Sequence, residues 1–202
     1  LEGGLQPINF NASNFPVEAQ EANHPIIVER FEFIRDSSGP GKFRGGSGVR
    51  RDMKFLANEG KLTNLAERQR FAPYGLFGGK PGKRGRTVVN PGAGERVIHA
   101  KESCEFEYGD VISFQQPGAG GYGDPTSRDP QKVLEDVLNE FISLETARDA
   151  YGVVIDPTTW TVDATAPVIL LITIPPLATN VQNATFTFSC TDVTAVISCT
   201  LD

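Results

Sequence analysis

The sequence predicts an α+β, β-rich fold: mixed strands with long Gly-rich loops and two short helices closing a first unit, followed by a partial β-sandwich-like segment. Three observations predict it. Short runs rich in β-branched and aromatic residues alternate with turn residues from Ile26 to Gln115, the pattern of half-buried strands. Two capped, amphipathic stretches follow between Asp129 and Gly152. The composition then changes. All 19 Lys and Arg precede residue 149, and from Asp156 onward there are four Asp and no basic residue, which marks a boundary between units built differently. The expected organisation is a first unit at 1–155, a linker at 156–163 and an incomplete β segment at 164–202.

Taken in order, Ile26–Ile34 (IIVERFEFI) reads as a strand, and DSSGPGKFRGGSG as a long glycine-rich turn. Val49–Leu56 and Leu62–Glu67 read as strands paired with each other across the turn at Asn58–Gly60. Arg86–Asn90 and Arg96–Ala100 flank the turn PGAGE, and Asp110–Gln115 is a further short strand. Pro117–Pro125 (PGAGGYGDP) fits neither regular helix nor sheet. Asp129 caps a helix whose first position is Pro130, where the missing N–H costs nothing. Val133, Leu134, Val137, Leu138 and Phe141 form its apolar stripe. Ser143 caps a second helix that Gly152 ends, and Tyr151 with Val153–Ile155 packs back on the body. The tail carries strand-like runs at Val168–Ile174, Ala184–Ser189 and Ala195–Cys199.

Composition excludes several classes. A net charge of -6 argues against general nucleic-acid binding, which needs cations to displace counterions. The 21 glycines and 14 prolines cluster in turns and do not repeat at a period of three, so the sequence is not collagen. The opening residues lack a basic leader and an apolar core, so no signal peptide is expected. The run at Val168–Pro176 is too short and proline-broken to span a membrane. Cys104 stands alone, and Cys190 and Cys199 are nine apart, which fits no metal spacing; a bridge and two free thiols both remain open for the latter pair.

Three stretches carry candidate chemistry. In Gly39–Gly48, glycines let the backbone turn tightly and Arg44 offers a charged fork to an anion, or else a salt bridge inside a compact loop. In Glu67–Gly85, Arg68 or Arg70 suits a carboxylate or oxyanion, and Glu67 becomes a base if burial raises its pKa. The alternative is an ion-pair network, with Phe71, Tyr74 and Phe77 plugging the underside of a sheet. Glu67 and Arg68 are adjacent on a strand, so their side chains should point to opposite faces. In Pro117–Pro125, Gly118, Gly120 and Gly121 leave the backbone exposed and free to adopt positive φ, shaping a pocket wall. GAGGYG matches a dinucleotide loop only loosely, since Asp124–Pro125 interrupts the helix such a loop opens.

Through NFPVEAQE, HPIIVERFEF, DSSGPGKFRGGSGVRRD, ERQRFAPYGLFGGKPGKRG, GDVISFQQPGAGGYGDP and RDPQKVLEDVLNEFISLETARDAYGVVID, in that order, the chain resembles the hydantoinase B/5-oxoprolinase family over roughly residues 8–155. The resemblance implies part of a B-type subunit of an ATP-dependent cyclic-amide hydrolase, cytoplasmic and acting in an oligomeric complex. An A-type partner with an actin-like ATPase fold would activate a small-molecule cyclic amide by phosphorylation, and the B-type part would complete C–N hydrolysis. A non-catalytic scaffold or contact module, or a part of a related ketone carboxylase, is the alternative. The catalytic candidates are Arg44, Glu67 and Arg68. No cofactor is expected on this segment; ATP and a divalent metal fall to the partner or to another part of the subunit. No nucleic-acid or membrane partner is implied, and His24 and His99 match no metal motif of the family. Ala119 stands where the family commonly has glycine. The tail resembles bacterial Ig-like repeats.

Overall fold

The structure is a computed structural model that describes residues 16–92 and 94–163, together with the backbone of Ile169–Thr173 and Thr187–Cys190. It divides into two units, Leu1–Val162 and Asp163–Asp202.

The first unit contains α1 (Val17–Asn23), β1 (Ile26–Phe33), β2 (Val49–Phe55), β3 (Glu59–Leu65), β4 (Arg86–Val89), β5 (Arg96–Ile98), β6 (Lys101–Glu107) and β7 (Val111–Gln115). A 3-10 turn at Pro125–Ser127, α2 (Pro130–Leu138), α3 (Leu144–Tyr151), β8 (Ile155–Asp156) and β9 (Thr161–Val162) complete it. A five-stranded antiparallel sheet runs in the order β1-β2-β7-β4-β5. A separate two-stranded ribbon pairs β3 with β6, and β8 pairs with β9.

The expected β2–β3 pairing is not found. β2 lies between β1 and β7, and β3 pairs along its whole length with β6, from Glu59↔Glu107 to Leu65↔Lys101. The reason lies in the apolar sets. The inner face of the ribbon presents Leu62, Cys104 and Phe106, which pack with Phe55, Val89, Ile98, Ile112 and Phe114 of the sheet in one core. That burial stabilises a ribbon folded over the sheet rather than a sixth strand within it. β6 and α1 were not expected at all. The alternation KESCEFE carries β6, with Cys104 and Phe106 buried and Ser103, Glu105 and Glu107 exposed. α1 has no buried residue and no side-chain cap, so its sequence signal is weak.

Asp52 is buried in β2 and accepts three hydrogen bonds from Arg50, at 2.7–3.1 Å, with Arg30 at 3.6 Å. Burial by itself raises its pKa, but the hydrogen bonds from Arg50 and Ser113 and the nearby guanidinium charges outweigh this and hold it below the ordinary value. A depressed folded pKa contributes stability that is present above the unfolded pKa and lost as pH falls through the folded one. Thermal melts should therefore show midpoints that begin to drop below about pH 4, the unfolded value for Asp. Asp52→Asn should lower the midpoint at neutral pH and flatten that acid slope; an unchanged slope would remove Asp52 from the account.

The helical end follows its caps. Asp129 accepts from the Gln131 N–H, and the Ser143 hydroxyl accepts from the Thr146 N–H at 3.1 Å. Gly152 ends α3 at φ 70°, a left-handed position that suits glycine. Val133, Val137, Ile142, Ala147, Tyr151, Val153 and Ile155 form a second core, with Val162 packed against it. Leu138, expected in the stripe, is instead exposed at the end of α2.

In the second unit, β10 (Ile169–Thr173) pairs antiparallel with β11 (Thr187–Cys190). The expected strand Ala195–Cys199, the Cys190–Cys199 question and most of the Ig-like resemblance lie outside the described residues. Among the described residues, no helix is long and apolar enough to cross a membrane.

Candidate functional site

The three glycine-rich stretches meet. Segment 117–123 runs between 37–48 and 73–85, joined to both by backbone hydrogen bonds. Gly39 N–H donates to Ala119 O at 2.7 Å, Ala119 N–H to Gly46 O at 2.8 Å, and Phe43 and Tyr122 exchange bonds at 3.0 Å. On the other side, Leu76 N–H donates to Gly121 O, Gly121 N–H to Lys80 O and Gly123 N–H to Leu76 O, each at 2.9 Å. Segments 37–48 and 73–85 also bond directly, through Lys80 N–H to Pro40 O and Lys83 N–H to Ser37 O. These loops satisfy one another's backbone groups without forming a regular sheet.

Glycine is needed here for closeness. Side-chain carbon added at Gly118, Gly120 or Gly121 would sit 1.8 Å from Ser37 O, 1.9 Å from Tyr74 O and 2.1 Å from Pro40 O. None of the three adopts positive φ, and Gly118 and Gly121 are buried, which corrects the expectation of an exposed, left-handed loop. Each stretch also carries a local spacing of three that no chain-wide count reveals: Gly45 and Gly48, Gly79, Gly82 and Gly85, and Gly118 and Gly121. A backbone with three residues per turn returns to the same side at that interval.

Arg44 leaves this layer pointing inward. Its Nη1 donates to Gly45 O at 3.0 Å and Ser47 Oγ at 3.2 Å, its Nε lies 3.0 Å from Asp136 Oδ1, and its guanidinium stacks 4.6 Å over the Phe141 ring. The Nε approach is an ion-pair contact whose angle falls short of a hydrogen bond. Arg128 takes the other carboxylate oxygen, Nη2 to Asp136 Oδ2 at 2.8 Å, and donates from Nη1 to Lys42 O at 3.1 Å. All three side chains are buried. Tyr151 lies in the same environment, where burial pushes its hydroxyl up to about 12. Asp136, which sequence reasoning passed over, thus ties the α2 helix to the 37–48 loop. Its only sequence signal was an acidic residue beside the apolar stripe.

Asp36 makes a second tie. Its N–H donates to Phe141 O at 2.9 Å, and its carboxylate accepts the Ser143 N–H at 2.8 Å. Burial acts to raise its pKa, yet hydrogen bonds from Thr146 and Ser143 and the Lys83 charge leave it lowered.

Glu67 and Arg68 stand elsewhere, on the surface. Glu67 accepts from Lys101 Nζ at 2.9 Å, and that hydrogen bond and charge lower its pKa, the reverse of the burial-raised base expected. Arg68 has φ 58°, so the strand has ended before it, and its guanidinium lies 6.0 Å from the Tyr74 ring. Phe71, Tyr74 and Phe77 are exposed, with Phe77 77% accessible, so they plug nothing in this unit. Among the described residues, no group of three or more His, Cys, Asp and Glu stands together to hold a metal.

A strand-rich α+β scaffold whose glycine loops interlock backbone against backbone is the class of protein this geometry defines. A family model described as hydantoinase B/oxoprolinase matches residues 2–125, and the chain belongs to that family. Caprolactamase subunit beta of Pseudomonas jessenii is 33% identical over 151 residues, covering 69% of this chain and 25% of that subunit. A 5-oxoprolinase of Dictyostelium discoideum is 38% identical over 112 residues, covering 55% of this chain and 9% of the relative. The crystal structure of the ATP-dependent caprolactamase from Pseudomonas jessenii superposes with a TM-score of 0.64 at 31% identity, over 71% of this chain and 26% of that one. A nucleotide-free acetone carboxylase structure shares the fold at a TM-score of 0.64 and 20% identity, over 75% of this chain and 25% of that one. The chain thus spans between 9% and 26% of the length of these relatives.

Proposed function

We propose that this chain is a portion of a B-type subunit of an ATP-dependent cyclic-amide hydrolase, in which it supplies a rigid scaffold for ring C–N hydrolysis. The observation that carries the reading is family membership, together with 31% identity to the ATP-dependent caprolactamase at a TM-score of 0.64. An A-type partner would phosphorylate the ring carbonyl using ATP and a divalent metal, and the intact complex would work in the cytoplasm. The glycine layer and the Asp136 and Asp36 ties fit a supporting role, since a site must be held by rigid elements to be effective. Of the three candidates, Arg44 fits such a tie, while Glu67 pairs with Lys101 and Arg68 lies beside the Tyr74 ring, both at the surface.

The test is to assay the full parent subunit with its A-type partner on 5-oxoproline, a hydantoin and a lactam. ADP release coupled to ring opening is expected; carboxylation of a ketone without ring opening would overturn the reading. In that complex Glu67→Gln and Arg68→Ala should keep kcat within about threefold, against the 10²–10³ that removal of an oxyanion donor costs. A loss of that larger size in a folded, assembled variant would move the residue into the chemistry.

A further inference from the structure

The β3–β6 ribbon separates two unneutralised charges. At one end Glu59 and Glu107 face each other directly in register, a like-charge pair that destabilises a ladder unless a cation reaches it. Lys61 is paired with Glu105, and no ion pair among the described residues involves Glu59 or Glu107. A groove of about 980 Å³ opens beside them, lined by three glutamates, Glu59, Glu105 and Glu107, against one cation, Lys61, together with Phe106, Tyr108 and Asp110. At the other end, just past Leu65, Arg68, Arg70 and Arg84 stand exposed and close together: Gly85 N–H donates to Arg68 O at 3.1 Å and Arg84 Nη1 reaches Arg70 O at 3.5 Å. None of the three enters an ion pair among the described residues, because Glu67 is turned to Lys101. Phe71 and Tyr74, each 68% accessible, project among them, with Arg70 5.3 Å from the Phe71 ring. Six residue steps at about 3.4 Å put the two ends about 20 Å apart, too far for one chain's arginines to neutralise its own glutamates.

We propose that a second copy of this chain docks head to tail on this ribbon, the Arg68–Arg70–Arg84 end of one copy seating on the Glu59–Glu107 end of the next. Charge complementarity selects this occupant, and Phe71 and Tyr74 supply the apolar contact that the groove beside Tyr108 accepts. Exposed aromatic and arginine side chains together are the composition of binding hot spots. Because the two surfaces differ, the contact is heterologous and continues into a ring or a filament rather than stopping at a two-fold dimer.

Sedimentation velocity of the full chain tests this. In about 20 mM salt, where charges act over tens of ångströms, the sedimentation coefficient should rise with protein concentration, and in about 500 mM salt it should not. Arg70→Glu with Arg84→Glu, and separately Glu59→Lys with Glu107→Lys, should each give monomers. Mixed together they should associate again, because the acidic end retained by the first variant fits the basic end retained by the second, and the two reversed ends are also opposite in charge. The neutral pair Arg70→Gln with Arg84→Gln, which keeps size and polarity, should weaken assembly several-fold. A parent chain that stays monomeric at every concentration, association that survives either reversal, or a mixture that remains monomeric would each overturn the proposal.

Discussion

Gly118→Ala should lower the melting temperature sharply. The added carbon would lie 1.8 Å from Ser37 O, about half an ordinary contact distance, and 2.9 Å from Ser38 N. Both are backbone atoms, so no side chain can swing away. The 117–123 segment must then leave the 37–48 segment, breaking bonds such as Gly39 N–H to Ala119 O. Overpacking of a close-packed site costs about 1–3 kcal/mol and occasionally more, and a clash with fixed backbone belongs at or above the upper end. At 2–4 °C per kcal/mol for a chain of this size, the midpoint should fall by about 6–12 °C. Gly109→Ala is the informative contrast. Gly109 adopts φ 90° with nothing within 4 Å of an added carbon, so it tests conformational strain alone. That strain costs about 1–2 kcal/mol. Equal destabilisation by the two variants, measured by calorimetry, would show that the glycine layer is looser than described.

Asp136→Ala should be the most damaging change at the helical end. The carboxylate serves two buried guanidiniums at once, Arg44 at 3.0 Å and Arg128 at 2.8 Å. Removing the anion of a buried ion pair costs about 3–5 kcal/mol, because the cation left behind keeps its desolvation penalty. Arg44→Met should cost less, since Asp136 retains Arg128 and the methionine can keep packing on Phe141. Urea melts of both variants decide the order. Arg44→Met proving the more damaging would mean that the hydrogen bonds to Gly45 and Ser47 matter more than the carboxylate.

Much of the fold was legible in the sequence. The strands at β1, β2, β4 and β7 and both capped helices follow from features that act within a few residues, such as alternation, Pro130 at a first helical turn and Gly152 after the last. The three glycine-rich stretches also stood out as motifs, although their partners did not. Strand pairing was misread at β3 because a turn at Asn58–Gly60 suits either a hairpin with β2 or a departure from the sheet. The choice went to whichever arrangement buried Leu62 with Cys104 and Phe106.

The candidate site divides along the same line. By itself the sequence determined residue types and local backbone: an arginine within a glycine loop, an acid next to an arginine at a strand end, and glycines at a local spacing of three. Only the tertiary structure decided what each one meets. It buried Arg44 against Asp136, 92 positions away in the chain, and left Glu67 with Lys101 in solvent. It also assigned the glycines at 118, 120 and 121 to backbone contact. Charge pairing and close backbone approach are interactions through space between segments far apart in the chain. Local propensity sets which conformations each segment can adopt, and the burial of shared apolar surface sets which segments become neighbours.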